Sequence, residues 1–217
     1  MRSDRVRMIC SVALEAFITV AVPVAWCIMV FNLSDSGLLS AVGLSTLKYF
    51  TVQSNLFAAA ASLLTMIGVL RAWKTGGRLP SWLIAVRIVS AAGLMLTMLT
   101  VLAFLGPLFG YAAMFRGANL WFHGIVPVAS AAGVLLLRGE RMGKGSMFLS
   151  LLPVGAYSIW YLGNILINGV GTRPNSNDWY NLLNWGVGVG LFLFAGLIGI
   201  ILGSCVVLRL IYNRISK

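Results

Sequence analysis

The chain has 217 residues, of which 59% are hydrophobic and only 10% are charged, and its mean hydropathy is +0.93. A soluble domain of this length carries far more charge, and the apolar residues here come in long runs. These features predict an all-α integral membrane protein without a separate soluble domain. The formal charge of +11 does not indicate a nucleic-acid partner, because the basic residues stand in short segments between the apolar runs.

Six runs are long enough and apolar enough to cross a bilayer as helices. In chain order the predicted spans are 9–31, 47–70, 82–106, 119–137, 146–168 and 184–209. The segments between them contain Gly, Pro, Ser, Asn and charged residues, as loops do. The first run is too long for the apolar part of a signal peptide, so we interpret it as a retained span. We therefore predict one domain, residues 1–217, folded as a six-helix transmembrane bundle.

The basic residues predict the orientation of the bundle. Twelve of them fall on one side of the predicted spans: Arg2, Arg5, Arg7, Arg71, Lys74, Arg78, Arg138, Arg141, Lys144, Arg209, Arg214 and Lys217. Only Lys48, Arg116 and Arg173 fall on the other side. Because Lys and Arg accumulate in cytoplasmic loops, both termini are predicted to be cytoplasmic. A short chain of this kind suits a bacterial cytoplasmic (inner) membrane.

Two charged residues, Glu15 and Arg87, fall inside predicted spans at a similar depth from the cytoplasmic end. Charges inside a membrane usually pair, so we expect these two to form a structural ion pair. A proton or substrate site is the alternative interpretation of the same two residues.

The three cysteines, Cys10, Cys27 and Cys205, contain no C-x-x-C pair. The topology places Cys27 near the end of the membrane opposite the other two. We therefore expect neither a disulfide nor a metal site, and no cofactor is predicted.

The second span begins with the polar stretch KYFTVQSN, residues 48–55. Lys48, Thr51 and Asn55 are spaced i, i+3 and i+7, which predicts a common helical face, with Ser54 at its edge. Hydrocarbon penalises such groups, so they are expected to face other polar side chains or water.

Three later spans bring polar side chains to the same outer depth. Asn119 and His123 are spaced i, i+4 at the start of the fourth span, and Pro127 predicts a kink after them. The remaining members are Tyr157, Tyr161 and Asn164 on the fifth span and Tyr180 and Asn184 before the sixth. Singly, each is typical of helix packing. Together they predict a polar pocket that opens toward the outer leaflet.

A hydroxyl nucleophile needs a base, and His123 is the only side chain here that titrates near neutral pH. Thr51 and Ser54 are the candidate nucleophiles. Asn55, Asn119 or a tyrosine hydroxyl are the candidate donors to an oxyanion. A hydrolase of an amphiphilic ester and a non-catalytic protein that binds a lipid or small amphiphile both fit this pocket. A transporter is disfavoured because no inverted repeat is visible, and a retinal protein because Lys48 lies at the edge of a span.

KYFTVQSN resembles the (K/R)-Y-F-T-x-Q-S-N segment of bacterial six-pass membrane proteins of the Pr6Pr type. These are similar to the eukaryotic androgen-induced and androgen-dependent TFPI-regulating proteins. The histidine of NLWFHGIVP and the segment at 157–160 resemble further features of the family. The resemblance runs from about Leu47 to Val187.

The eukaryotic members are transmembrane threonine hydrolases that cleave fatty acid esters of hydroxy fatty acids. The resemblance therefore implies that Thr51 is the nucleophile and His123 its partner, with a membrane lipid or amphiphilic ester as substrate. The family's Y-P-Y-P-F-x-D/N segment is replaced here by DWYNLLN, without the prolines, and Asn184 stands at the acidic position. The sequence leaves the exact substrate and the oligomeric state open.

Overall fold

The computed structural model describes residues 2–33, 41–172, 176–180, 182–183 and 186–216, with side chains from residue 5 onward. Within these ranges the chain is helical and has no strand, and six helices are long and apolar enough to cross a membrane. The predicted all-α class and the six spans are thus confirmed. Arg173 and Lys217, two of the basic residues that predict the orientation, and Asn184, a predicted site residue, lie outside the described residues.

The six helices are α1 (Arg2–Val30), α2 (Phe50–Thr75), α3 (Ser81–Phe109), α4 (Ala118–Leu136), α5 (Leu151–Asn168) and α6 (Val187–Ile215). Turns of 3-10 helix, Gly43–Lys48 and Gly145–Ser150, precede α2 and α5. A short helix, Tyr111–Met114, lies in the connection between α3 and α4.

Helix α2 begins three residues later than the predicted span. Tyr49 has an extended backbone (φ −89°, ψ 130°), which separates the 3-10 turn from α2. Lys48 belongs to that turn and therefore does not lie on the α2 face that carries Thr51 and Asn55. Of the three residues predicted to share one helical face, only Thr51 and Asn55 do so.

Two π-helical turns interrupt α3 and α4 in the halves that lie next to the connection between them. They span Val101–Leu105 and Trp121–Ile125. The second turn is explained by Pro127, which has no N–H to donate to the His123 carbonyl, so the regular α-helical bond is missing there. Such turns concentrate at functional sites because they change the direction of side chains.

Helix α3 is the centre of the bundle. In its most apolar window 61% of residues are buried, against 17% for α6, and it packs against α2, α4 and α6. One apolar cluster joins α3 to α2, α5 and α6, and a second joins α1, α2 and α4. Phe192 and Val187, near the start of α6, are exposed at 77% and 67% of their surface.

The predicted ion pair between Glu15 and Arg87 is confirmed. Arg87 Nε lies 2.9 Å from Glu15 Oε2, and neither side chain is exposed. Arg87 also donates to the Ser130 hydroxyl at 2.7 Å and to the Ser130 carbonyl at 3.3 Å. Gly133 leaves space for the pair, because a Cβ there would lie 3.0 Å from Arg87 Nη2. The pair thus links α1, α3 and α4 in the core.

At the end of the bundle that contains both chain termini, charged side chains bond to the free backbone groups of helix ends. Arg7 donates to the carbonyl oxygens of Leu135, Leu136 and Leu137, which end α4, at 2.9 to 3.2 Å. Such carbonyls have no partner within their own helix, so a cation stabilises them. Glu140 in turn accepts from the Ser81 N–H at 2.9 Å and caps the start of α3.

Candidate active site

His123 lies in the π-helical turn of α4 and is 2% exposed. Its Nδ1 is 3.0 Å from the carbonyl oxygen of Met114, in the connection between α3 and α4. A carbonyl only accepts, so Nδ1 carries the proton of this bond. In the neutral ring, Nε2 then has the free lone pair and is the nitrogen that can act as a base.

Thr51 is the second residue of α2, and its hydroxyl makes no hydrogen bond within the part of the chain that is described. The first N–H groups of a helix lack intrahelical partners. Here Phe50 N–H donates to the Tyr180 hydroxyl at 2.8 Å, and Val52 and Gln53 N–H donate to the Tyr49 carbonyl. The Thr51 N–H has no backbone acceptor among the described residues. It is therefore available to an anion at the positive end of the α2 dipole.

Thr51 and His123 line the same small cavity, whose volume is about 20 Å³. Its other lining residues are Met29, Tyr49, Val52, Leu105, Asn119, Phe122 and Tyr180. No hydrogen bond joins the Thr51 hydroxyl to the His123 ring. The cavity is large enough for one water, which needs roughly 10–15 Å³ by this measure.

Thr51 also lines a second, longer cavity of about 200 Å³ between α3, α5 and α6. Thr51, Leu105 and Tyr180 line both cavities, so the two meet at the start of α2. From Leu105 the long cavity follows α3 down to Leu96, a distance of ~14 Å at the helical rise. Its walls are almost entirely aliphatic and aromatic, and one of its lining residues is the exposed Phe192. The arrangement accommodates an alkyl chain that ends at Thr51.

Tyrosines from α5 form the wall between the long cavity and the segment before α6. Tyr157 and Tyr161 stack at 12° and both line the long cavity. The Tyr161 hydroxyl donates to buried Asp178, whose carboxylate also accepts from the N–H groups of Leu182 and Leu183 at 2.9 and 3.0 Å. Asp178 therefore fixes the turn that positions Tyr180 over the site.

The hydroxyl groups of Tyr180 and Tyr157 bond to the backbone at the start of α2. The Tyr157 hydroxyl donates to the Lys48 carbonyl at 2.7 Å, one residue before the extended Tyr49, and Tyr180 accepts from Phe50 on its other side. Burial raises the pKa of the Tyr180 phenol well above its usual range, so the hydroxyl stays protonated and neutral. These two contacts determine where α2 begins and so where Thr51 lies.

Asn55, one turn below Thr51, is fully buried between α2 and α4. Its Nδ2 donates to the Thr51 carbonyl at 2.8 Å and to the Phe122 carbonyl at 3.4 Å. The Phe122 carbonyl belongs to the peptide group that joins Phe122 to His123. The Asn55 amide therefore connects the backbone of Thr51 to the peptide group next to His123. Asn55 lines neither of the two cavities.

Three further predicted site residues, Ser54, Asn164 and Lys48, do not line the small cavity. Ser54 bonds to the Thr51 carbonyl and lines a separate cavity between α2, α3 and α5. Asn164 donates to Asn177 and supports the loop after α5. Lys48 places its ammonium group over the rings of Tyr49 and Trp179. Asn184 falls outside the described residues. Roles for these four in binding stay predictions.

Met114, Leu105 and Asp178 contribute to the site but were not identified from the sequence. Met114 acts through its backbone carbonyl and Leu105 through shape, so neither has a polar side chain that a pattern search would find. Asp178 was visible as an acidic residue in the segment before α6, but the sequence does not show which hydroxyl and N–H groups its carboxylate accepts from.

Comparisons of the chain with models of known protein families, with curated proteins and with solved structures give no match. The class of protein therefore rests on the fold and on the site. It is a six-helix integral membrane protein with a hydroxyl and an imidazole lining one cavity near the end of the bundle.

Proposed function

We propose that the protein is an intramembrane hydrolase of lipid-like esters, such as fatty acid esters of hydroxy fatty acids. Thr51 is the nucleophile and His123 the base. One observation carries the proposal: Thr51 stands where the long apolar cavity meets the small cavity that contains His123. The resemblance to six-pass threonine hydrolases implies the same two residues independently of this geometry.

The long cavity binds the acyl chain of the substrate and brings the ester carbonyl to Thr51. The apolar walls favour the chain because burying a methylene is worth roughly 0.8 kcal/mol. The chain enters from the outer leaflet past α6, whose most apolar window has the smallest buried share of the six helices, 17%. The ester then lies where the long cavity meets the small cavity.

In the first step the Thr51 Oγ attacks the ester carbonyl carbon and its proton passes to His123 Nε2. The oxygen of the tetrahedral intermediate accepts from the Thr51 N–H and from the Asn119 amide, which lines the same cavity. The C–O bond of the ester then breaks, and the departing alcohol takes the proton from Nε2. The product of this step is an acyl ester on Thr51.

In the second step water attacks the acyl ester and gives a proton to Nε2. The Thr51 oxygen leaves and recovers that proton, and the fatty acid is released. The small cavity has space for the one water that this step consumes. The Met114 carbonyl, as acceptor of Nδ1–H, keeps Nε2 in the basic form between steps.

The site lies at the outer side of a bacterial inner membrane in this proposal, with both termini in the cytoplasm. Among the described residues, the end of the bundle opposite the site has ten basic side chains that agree with this orientation: Arg5, Arg7, Arg71, Lys74, Arg78, Arg138, Arg141, Lys144, Arg209 and Arg214. Only Lys48 and Arg116 stand at the end that contains the site.

A second candidate function is that of a non-catalytic protein that binds a lipid or small amphiphile in the long cavity. The absence of a hydrogen bond between the Thr51 hydroxyl and the described His123 ring favours it. In this case Thr51 is a polar contact for the head of the amphiphile and no covalent intermediate forms.

Labelling with a fluorophosphonate probe, followed by mass spectrometry of the labelled peptide, separates the two functions. A hydrolase forms an adduct on Thr51 and releases fatty acid from a panel of lipid esters, and both are lost in Thr51→Ala. Thr65→Ala is the matched control, because Thr65 is on the same helix, bonds back to Ala61 and lines neither cavity. A parent protein that binds amphiphiles but neither reacts nor cleaves any ester supports the binding function and rejects the hydrolase.

A further inference from the structure

A separate cavity opens at the other end of the bundle, between the start of α1, the end of α2 and the end of α4. Its volume is about 190 Å³, more than ten times the space that one water needs. It lies at the membrane boundary, since its α1 residues occupy the first turns of that span. The proposed hydrolase uses no part of it.

Two arginines from different elements line this cavity, and its lining includes no acidic side chain among the described residues. Arg7 comes from α1 and Arg138 from the residues that follow α4. The three carbonyl contacts of Arg7 fix its guanidinium in place beside the cavity. The cavity is therefore lined by two cationic side chains, and backbone carbonyls hold one of them in place.

A buried hydroxyl on the floor of the cavity has no partner. Ser11 lines the cavity and is 1% exposed, and its Oγ makes no hydrogen bond within the described chain. Serine in a helix ordinarily bonds back to a carbonyl one turn earlier, so an unpaired buried hydroxyl is unusual. Leaving such a donor unsatisfied is costly, and a ligand oxygen would remove the cost.

We propose that this cavity binds the phosphate group of an anionic phospholipid from the leaflet at the basic end. Arg7, Arg138 and Ser11 surround the phosphate, and an acyl chain descends along Met8 and Val69 of the same cavity. Trp73, which is 55% exposed, stands beside them as a residue typical of the membrane interface. The mixture of cations and apolar wall matches a lipid better than a free phosphate ion.

Native mass spectrometry of the full chain in detergent tests the proposal with phosphatidylglycerol and phosphatidylcholine of identical acyl chains. Phosphatidylglycerol should remain bound at a concentration at which phosphatidylcholine does not. Arg138→Gln should weaken its binding about fivefold, since one basic residue near anionic lipid is worth roughly that factor. Ser11→Leu fills the cavity without a change of charge and should abolish the tight site. Arg7 is left unchanged because its loss would also uncap α4.

Arg141→Gln is the matched control, because it removes the same charge from the same loop but does not line the cavity. It should leave binding within twofold of the parent. Equal losses in Arg138→Gln and Arg141→Gln would mean bulk attraction of anionic lipid and would overturn the proposal. Unchanged binding in a Ser11→Leu variant with the parent's melting temperature would do the same. Complete displacement of phosphatidylglycerol by millimolar inorganic phosphate would overturn the lipid as the source of the phosphate.

Discussion

His123 is held by the Met114 carbonyl, 3.0 Å from Nδ1, and by no carboxylate among the described residues. Triads of the Ser-His-Asp kind use an acid to fix the tautomer of the ring and to stabilise the imidazolium. A backbone carbonyl can fix the tautomer through its dipole, but it brings no full negative charge. The His123 ring is therefore held in position as a base, but its imidazolium form is stabilised less than in a triad that contains an acid.

The first prediction concerns this tautomer. Nitrogen-15 NMR of the detergent-solubilised protein at mildly alkaline pH should give one histidine signal set, with the proton on Nδ1 and a bare Nε2. The experiment is clean because the chain has a single histidine, provided that the purification tag contains none. A proton on Nε2 in the neutral ring would contradict the Met114 contact and remove the base from the proposed mechanism.

The second prediction concerns Asn55, whose amide connects the backbone of Thr51 to that of Phe122. Asn55→Asp should reduce the free energy of unfolding by roughly 1–3 kcal/mol, because an ionised Asp cannot donate to the Thr51 and Phe122 carbonyls and leaves the buried Phe122 carbonyl facing an acceptor. If the protein is a hydrolase, Asn55→Ala should reduce kcat with little change in KM, since the residue lines neither cavity. Ser54→Ala serves as the comparison, because the Ser54 hydroxyl bonds only within its own helix. Equal effects of Ser54→Ala and Asn55→Ala on kcat would argue against a positioning role.

The number of helices was predictable from sequence because a bilayer imposes a minimum length of apolar residues and requires every backbone group to be paired. The Glu15–Arg87 pair was predictable for the same reason, since two charges at one depth in hydrocarbon need each other. Both predictions follow from the properties of the bilayer and do not require knowledge of how the side chains pack.

The start of α2 was not predictable, and with it part of the site. Helical spacing placed Lys48 on the same face as Thr51. The chain instead breaks at Tyr49, because Tyr157 bonds to the Lys48 carbonyl and Tyr180 to the Phe50 N–H. These partners are more than a hundred residues away in sequence, so no local pattern contains them. Thr51, Asn119, His123 and Tyr180 line one cavity, whereas Ser54 and Asn164 have other neighbours, which spacing along single helices could not show.

The third prediction concerns the buried ion pair. Glu15→Gln or Arg87→Gln alone should reduce the free energy of unfolding by about 3 kcal/mol or more, because the remaining charge is left without its partner. Glu15→Leu combined with Arg87→Leu should cost less than the sum of the single changes. Melting in detergent over a denaturant series measures the three values. Additive losses would mean that the two charges are not energetically coupled despite their 2.9 Å separation.

The fourth prediction concerns orientation. Reporter fusions after the C-terminus should be active only for a cytoplasmic reporter, and an insertion at residues 107–118 only for a periplasmic one. The basis is the accumulation of basic residues at one end of the bundle. The fusion and the insertion test each other, because an even number of crossings between them would give the same location for both. A periplasmic C-terminus would place Thr51 and His123 at the cytoplasmic side and reverse the leaflet from which the substrate comes.

The last prediction concerns the catalytic pair. Thr51→Ala and His123→Ala should each reduce ester turnover by several orders of magnitude, and the double variant should be little slower than either single one. Residues that act in one step lose their joint effect when either is removed, so their losses do not add. Thr51→Ser should retain part of the activity, because it keeps a hydroxyl at the junction of the two cavities. Initial rates with one lipid ester, on proteins matched for melting temperature, give the comparison. Multiplicative losses would mean that His123 acts independently of Thr51, and full activity of a folded Thr51→Ala would remove Thr51 from the chemistry and leave the long cavity as a binding site.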